Sequence, residues 1–328
     1  QSLDANTEGD TNVAVGYLAL SANTTADNNT AVGSSALLSN TTGQQNVAVG
    51  ALSLDANTTG NNNVAVGNSS LGANTTGIYG VAIGHSALAL NTTANNNVAV
   101  GYNTLNQNTT GESNVAVGRD ALRIATTADN NTALGSFTLD ANTTGSSNTA
   151  IGYAASSDNT TGSSNVAVGK SALGDNTTAD NNTAIGRDAL RLNTTGTRNT
   201  AVGALALDAN TTADFNTALG GRAMSANTTG ANNTAVGDST LLANTTGSNN
   251  VAVGQGAMDG NTTADNNTSV GYQSLLANTT GSNLVAVGSG CLDANTTASD
   301  NTGVGKAALT NNTEGFSNTA VGKSALEA

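Results

Sequence analysis

The residues able to do chemistry are few and scattered. His85 is the only histidine and Cys291 the only cysteine, so no histidine-based triad, no multi-histidine metal site and no disulfide framework can be assembled. The 22 Asp and Glu residues could pair as acid and base, yet no carboxylate has a recurring partner. Cys291 stands where other copies of its surroundings carry Ala, Ser or Thr, and reads as a small packed residue. His85 reads as a solvated surface residue. We therefore expect no enzymatic activity, no metal and no cofactor. What the chain has in abundance is amide and hydroxyl, as in NTTGSNNVAVG at 244–254.

That phrase recurs throughout. The glycine closing each N-(V/T)-A-(V/I/L)-G pentad falls at Gly16, Gly33, Gly50 and onward to Gly322, always 17 residues apart, which gives nineteen copies. Numbered from its first Asn, as in Asn29 to Gln45, a coil reads N-(T/V)-A-(V/I/L)-G-x-x-(A/S/T)-L-x-x-N-T-T-(G/A)-x-x. Position 5 is invariant, and position 9 is Leu or Met everywhere except Ser156. A fixed period of this length makes an architecture that grows along one axis. The expectation is an all-β fold, a parallel β-solenoid or β-roll of nineteen 17-residue coils. It forms a single domain over 1–328, with the terminal coils around 1–16 and 312–328 acting as ends or stacking interfaces.

Positions 2 and 4 are separated by two and are mostly β-branched, so they share one face of a short strand while the Ala between them points the other way. The invariant Gly breaks that strand, through a positive φ or an approach too close for a Cβ. Downstream, Ala36 and Leu37 are adjacent apolar residues, which strict alternation cannot bury together. A tight corner or a single helical turn would suit them. N-T-T-(G/A) supplies the return turn. One Val and one Leu per coil are expected to form the apolar core. Stacked at ~4.8 Å, nineteen coils would make a rod on the order of 90 Å.

Asn at position 12 can bond its own copies along the stack and satisfy the turn backbone, making Asn23, Thr24, Asn40, Thr41, Asn57 and Thr58 the first rungs of an Asn/Thr ladder. N-T-T at Asn23, Asn40 and fourteen further copies also satisfies the N-glycosylation pattern, but sugars ~5 Å apart on one edge would collide, which leaves room for occasional occupancy and not for a sugar at every rung. Hydroxyls and methyls arrayed from Thr41 and its equivalents suggest an ice-binding surface. Such faces favour T-x-T on a strand, whereas Thr24 and Thr25 are adjacent. Asp27, Asp129, Asp180, Asp214 and Asp265 accompany the Ala form of the turn. One carboxylate per turn is too few for calcium, so these read as turn residues. Glu8 and Glu314 replace the second Thr only in the first and last loops and read as end markers that keep terminal edges solvated. Tyr17, Tyr102, Tyr153, Tyr272, Phe215 and Phe316 stand on variable positions at turn rims, where aromatic rings can stack on sugars or on a partner chain. They are the candidate surface-recognition residues.

The 9 Lys and Arg residues are spread over the array and leave a net charge of -13, which argues against nucleic acid and anionic lipid as partners. Apolar residues make up 37% of the chain, against about 45–50% in ordinary domains, so a broad globular core is not expected. No apolar run approaches the ~18 residues of a membrane span, and no signal peptide precedes Gln1. The chain reads as a mature product or an excised fragment.

The pentads N-V-A-V-G and N-T-A-I-G resemble the head repeats of YadA-like trimeric autotransporter adhesins, and NNTSVGYQSLLANTTGSN at 266–283 resembles repeats of phage and bacterial tail-fibre proteins. The resemblance covers essentially the whole chain, with a coil longer than those head repeats. It implies a parallel β-roll, commonly trimeric, on a secreted or virion-borne fibre that attaches to surfaces. The expected function is thus a non-enzymatic structural and adhesive fibre segment, extracellular or at the cell surface, that self-associates as a trimer or an end-to-end filament. Surface glycans and host or biofilm surfaces are its expected targets. The alternative is a monomeric ice-binding module using the Thr columns.

Overall fold

The structure, a computed structural model, describes residues 1–327. It consists of two compact units, residues 1–164 and 165 onward, and both are parallel β-solenoids. The first contains nine three-residue strands at 17-residue intervals, from β1 (Val13–Val15) to β9 (Thr149–Ile151); the second contains ten, from β10 (Val166–Val168) to β19 (Thr319–Val321). Each coil contributes one strand. Within a unit every strand pairs in parallel with the next, residue i opposite residue i+17, as in Ala14 with Ala31 and Thr183 with Thr200.

The core is narrower than the sequence suggests. Ala31, Ala36 and Leu37, at positions 3, 8 and 9, are all fully buried, and the same holds for Ala48 and Leu54 one coil later. Position 4 points outward instead: Val15, Val49 and Ile83 are 58%, 37% and 41% exposed. The expected Val-plus-Leu core is therefore corrected to Ala-plus-Leu. The reason is space. Position 3 faces positions 8 and 9 across the roll, so that a Cβ built on Gly303 would lie 2.6 Å from Cys291 Sγ and 3.5 Å from Leu292 Cδ1. Only Ala, Ser269 or Gly303 fits there, and the larger β-branched residues take the open side.

The corner after the strand is a run of turns, and no helix occurs among the described residues. A helical turn is ruled out by backbone sign. Positions 7 and 9 carry positive φ in coil after coil, as at Ser35 (57°), Leu37 (50°), Asp120 (55°) and Leu122 (50°). Alternating signs turn successive peptides along the stacking direction, so the amides at positions 7 and 9 bond neighbouring coils, while Asn40 N–H, at position 12, closes a turn on Leu37 C=O of its own coil. Ser35 N–H donates to Tyr17 C=O at 2.8 Å, while Leu37 N–H donates the other way, to Ser53 C=O at 3.0 Å. The alternation also places Ala36 and Leu37 together in the core. At position 5 both readings of the glycine hold: Gly33 has φ of 140°, and a Cβ there would lie 2.4 Å from the Gly50 carbonyl oxygen.

Candidate functional site

Two surfaces emerge from this geometry. Position 12 is the first. Asn40 and Asn57 are fully buried, and each amide nitrogen uses both hydrogens. Asn57 Nδ2 donates to Asn40 Oδ1 at 2.8 Å and to Gly60 C=O at 3.0 Å. Asn40 does the same with Asn23 Oδ1 and Gly43 C=O. A second column at position 1 reinforces the turn: Asn46 N–H donates to Asn29 Oδ1, and Asn46 Nδ2 to Gly60 C=O. The adjacent threonines close the system. Thr24 Oγ1 donates to Thr41 C=O and Thr41 Oγ1 to Thr58 C=O at 3.1 Å. The Thr hydroxyls at position 13 are thus committed to backbone, which removes them from a free hydroxyl array, and only position 14 is exposed.

The strand face is the second surface. Its two columns contain Val, Thr, Ile and Leu only, with no charged residue in any of the nineteen strands. Parallel register aligns the columns within each unit. Large, mainly apolar exposed patches mark interaction sites. Sequence reasoning saw that positions 2 and 4 share a face but placed Val inside. The signal it could have used was the exclusion of anything larger than Ala from position 3.

The aromatic candidates are exposed, Tyr17 at 70% and Phe316 at 73%. Tyr102 stacks on His85 with ring centroids 5.5 Å apart, which gives His85 a ring partner that its lone occurrence concealed. Phe137 joins Tyr153 edge-on at 5.9 Å and receives the Arg119 guanidinium over its face at 5.2 Å. Phe215 holds Arg198 in the same way at 5.3 Å. Tyr272 is exposed. Phe137 and Tyr79, at positions 7 and 17, are two further rim aromatics beyond those named from sequence, although Tyr79 shares position 17 with Phe215.

The turn carboxylates act on backbone. Asp27 Oδ1 accepts Asp10 N–H at 2.7 Å, and Asp214 and Asp265 accept the equivalent N–H of Thr197 and Ser248 at 2.6 Å. Ser146 and Ser163 supply the same acceptor through Oγ. Glu8 and Glu314 are exposed. Among the described residues no three His, Cys, Asp or Glu side chains gather as metal ligands, and no helix is long and apolar enough to cross a membrane. Burial pushes the Cys291 thiol up to about 11, which keeps it protonated and unreactive at neutral pH.

No protein-family model matches the chain, and no curated protein is significantly similar to it in sequence.

Proposed function

We propose that the chain is a non-catalytic segment of an extracellular fibre that associates with copies of itself through the outward strand face. The observation that carries this reading is the face itself: two in-register columns of Val, Thr, Ile and Leu without a charge. In the first unit nine strands contribute to it, with Val15, Val49 and Ile83 among its exposed side chains. A net charge of -13 sits elsewhere, on turns and corners, so two copies can bring these faces together while keeping their charges in solvent. The likeness of the pentads to YadA-like and tail-fibre repeats supports a trimeric fibre at a cell or virion surface. In this reading the exposed rim aromatics Tyr17, Tyr102, Tyr153, Tyr272, Phe215 and Phe316 make the contacts to surface glycans or to host and biofilm surfaces.

A second reading rests on one specific feature. In the second unit position 2 is Thr at four successive strands, Thr183, Thr200, Thr217 and Thr234, beside Ile185, Val202, Leu219 and Val236. Hydroxyls and methyls then alternate on an uncharged regular array, which suits an ice surface better than the position 13 and 14 columns do.

Sedimentation equilibrium separates the two. The double variant Val98→Asp, Val100→Asp places charge on the face and leaves the Ala and Leu core intact. The expected result is an oligomer for the parent and a monomer for the variant, with similar melting curves. A parent that stays monomeric at micromolar concentration refutes self-association. Thermal hysteresis abolished by Thr200→Lys with Thr217→Lys transfers the function to ice.

A further inference from the structure

The chain carries two sorts of N-x-T triplet, and the fold separates them. In the sixteen N-T-T triplets the asparagine points inward. Asn244 is fully buried, and its amide donates to Asn227 Oδ1 at 2.8 Å and Gly247 C=O at 3.0 Å. No hydrogen is left on that nitrogen for chemistry, and no enzyme can reach it.

A different triplet, N-N-T, arises where position 17 is Asn and position 2 of the following coil is Thr. It begins at Asn28, Asn130, Asn181, Asn232 and Asn266 in the positions so defined. Here the geometry is reversed. All five asparagines are exposed and hold φ between 58° and 60°. The middle residues, such as Asn29, Asn131 and Asn233, are fully buried. The third, for instance Thr30 or Thr234, opens its strand on the outward face. Asparagine amide and threonine hydroxyl therefore look out together, with the middle side chain turned away, as an acceptor triplet requires of a surface site. Among the described residues no hydrogen bond engages the side-chain nitrogen of any of the five. Asn68 and Asn311 also head exposed triplets, but their amides donate to Ala51 C=O and Glu327 C=O.

The geometry points to these five position 17 asparagines as N-glycosylation sites of the folded chain. The transfer joins Asn Nδ2 to the anomeric carbon of an oligosaccharide. The bond from that carbon to the pyrophosphate of a lipid-linked donor breaks, the lipid pyrophosphate departs, and the amide loses one proton. Crowding, which forbids sugars on the N-T-T edge, does not arise. The closest pair within a unit, Asn232 and Asn266, lies two coils apart, ~10 Å, and Asn181 and Asn232 are three apart.

Valine at position 2 removes the acceptor hydroxyl. Strands β3 to β7, residues 47–117, all begin with Val, so Asn62 and Asn96 at position 17 head no triplet. Sugars would border the strand face only where it carries Thr, leaving the Val stretch bare for the self-association proposed above. That corollary rests on the self-association reading; the sites do not.

The test treats purified folded chain, diluted to monomer, with a single-subunit oligosaccharyltransferase and a lipid-linked oligosaccharide. A urea-unfolded, then diluted, sample shows that the enzyme accepts this sequence. Peptide mass mapping is expected to find sugar on the five position 17 asparagines alone in the folded sample and on N-T-T asparagines as well in the unfolded one. Thr234→Val, which installs the residue nine other strands already carry, is expected to abolish modification at Asn232 and leave Asn266 modified. Sugar on N-T-T asparagines of the folded chain, or bare N-N-T triplets where the unfolded chain is modified, overturns the proposal.

Discussion

At the scale of single residues, stability is set by whether each buried amide meets its copy. Ala125 is the one place where position 12 is not Asn, and the consequence is local. Asn108 Oδ1 is buried without a partner, while Asn142 Nδ2 has only its turn bond to Gly145 C=O. Ala125→Asn supplies both a donor and an acceptor. It is expected to raise unfolding free energy by about 1–2 kcal/mol, read as a higher urea midpoint at unchanged slope; a neutral or lower midpoint would mean that the ladder is not a source of stability. The Asn column was legible from sequence, because an amide repeated at a constant interval has an obvious partner. The pairing of Cys291 with Gly303 was not. They lie at unrelated sequence positions, and only the roll brings a larger sulfur against the one position 3 that gave up its methyl.

At the scale of the element, a three-residue strand reports its parity but not its sense. Alternation told that Val13 and Val15 share a face; within the pentad only the restriction of position 3 to Ala, Ser or Gly marks which face is inside. The answer lies in the corner, where Ala36 and Leu37 are buried together because Leu37 takes a left-handed conformation. Residues other than glycine pay roughly 1–2 kcal/mol for that conformation. Position 7 adopts it in every complete coil, yet only Gly256 and Gly290 do so without a steric cost, and Asn103, Asp120 and Asp188 are the other residues there that tolerate it. Ala307, with φ of 56° and its N–H bonded to Ser289 C=O, buries no large side chain. Ala307→Gly is expected to stabilise by about 0.5–1 kcal/mol, seen as a rise in thermal midpoint. A fall would show that the chain's entropy, not the strained φ, dominates at this corner.

At the scale of the whole chain, acidity and burial act together. Asp55, Asp140, Asp208 and Asp259, all at position 10, are raised above 3.8, in each case chiefly by burial. Arg123, 3.9 Å from Asp140, opposes the shift there without cancelling it. A carboxyl group whose folded pKa exceeds its unfolded value binds its proton more readily in the native state. Stability therefore rises as pH falls through the raised values toward 3.8 and gains nothing more below it. Relief of self-repulsion from a charge of -13 has the same sign. Melting curves from neutral pH into the carboxylate range are expected to shift upward, and the shift should shrink in a variant with all four aspartates changed to Asn. A steady fall on acidification would contradict the assignment.

Because nearly every coil offers its neighbour the same contacts at the same interval, chain length is almost free to vary. Excising 17 residues from within a unit lets the flanking coils meet as equivalents, whereas losing 16 or 18 would misalign each line of amides and methyls at the join. Genes built this way can lengthen or shorten by unequal recombination, in whole coils, without passing through a form that fails to fold.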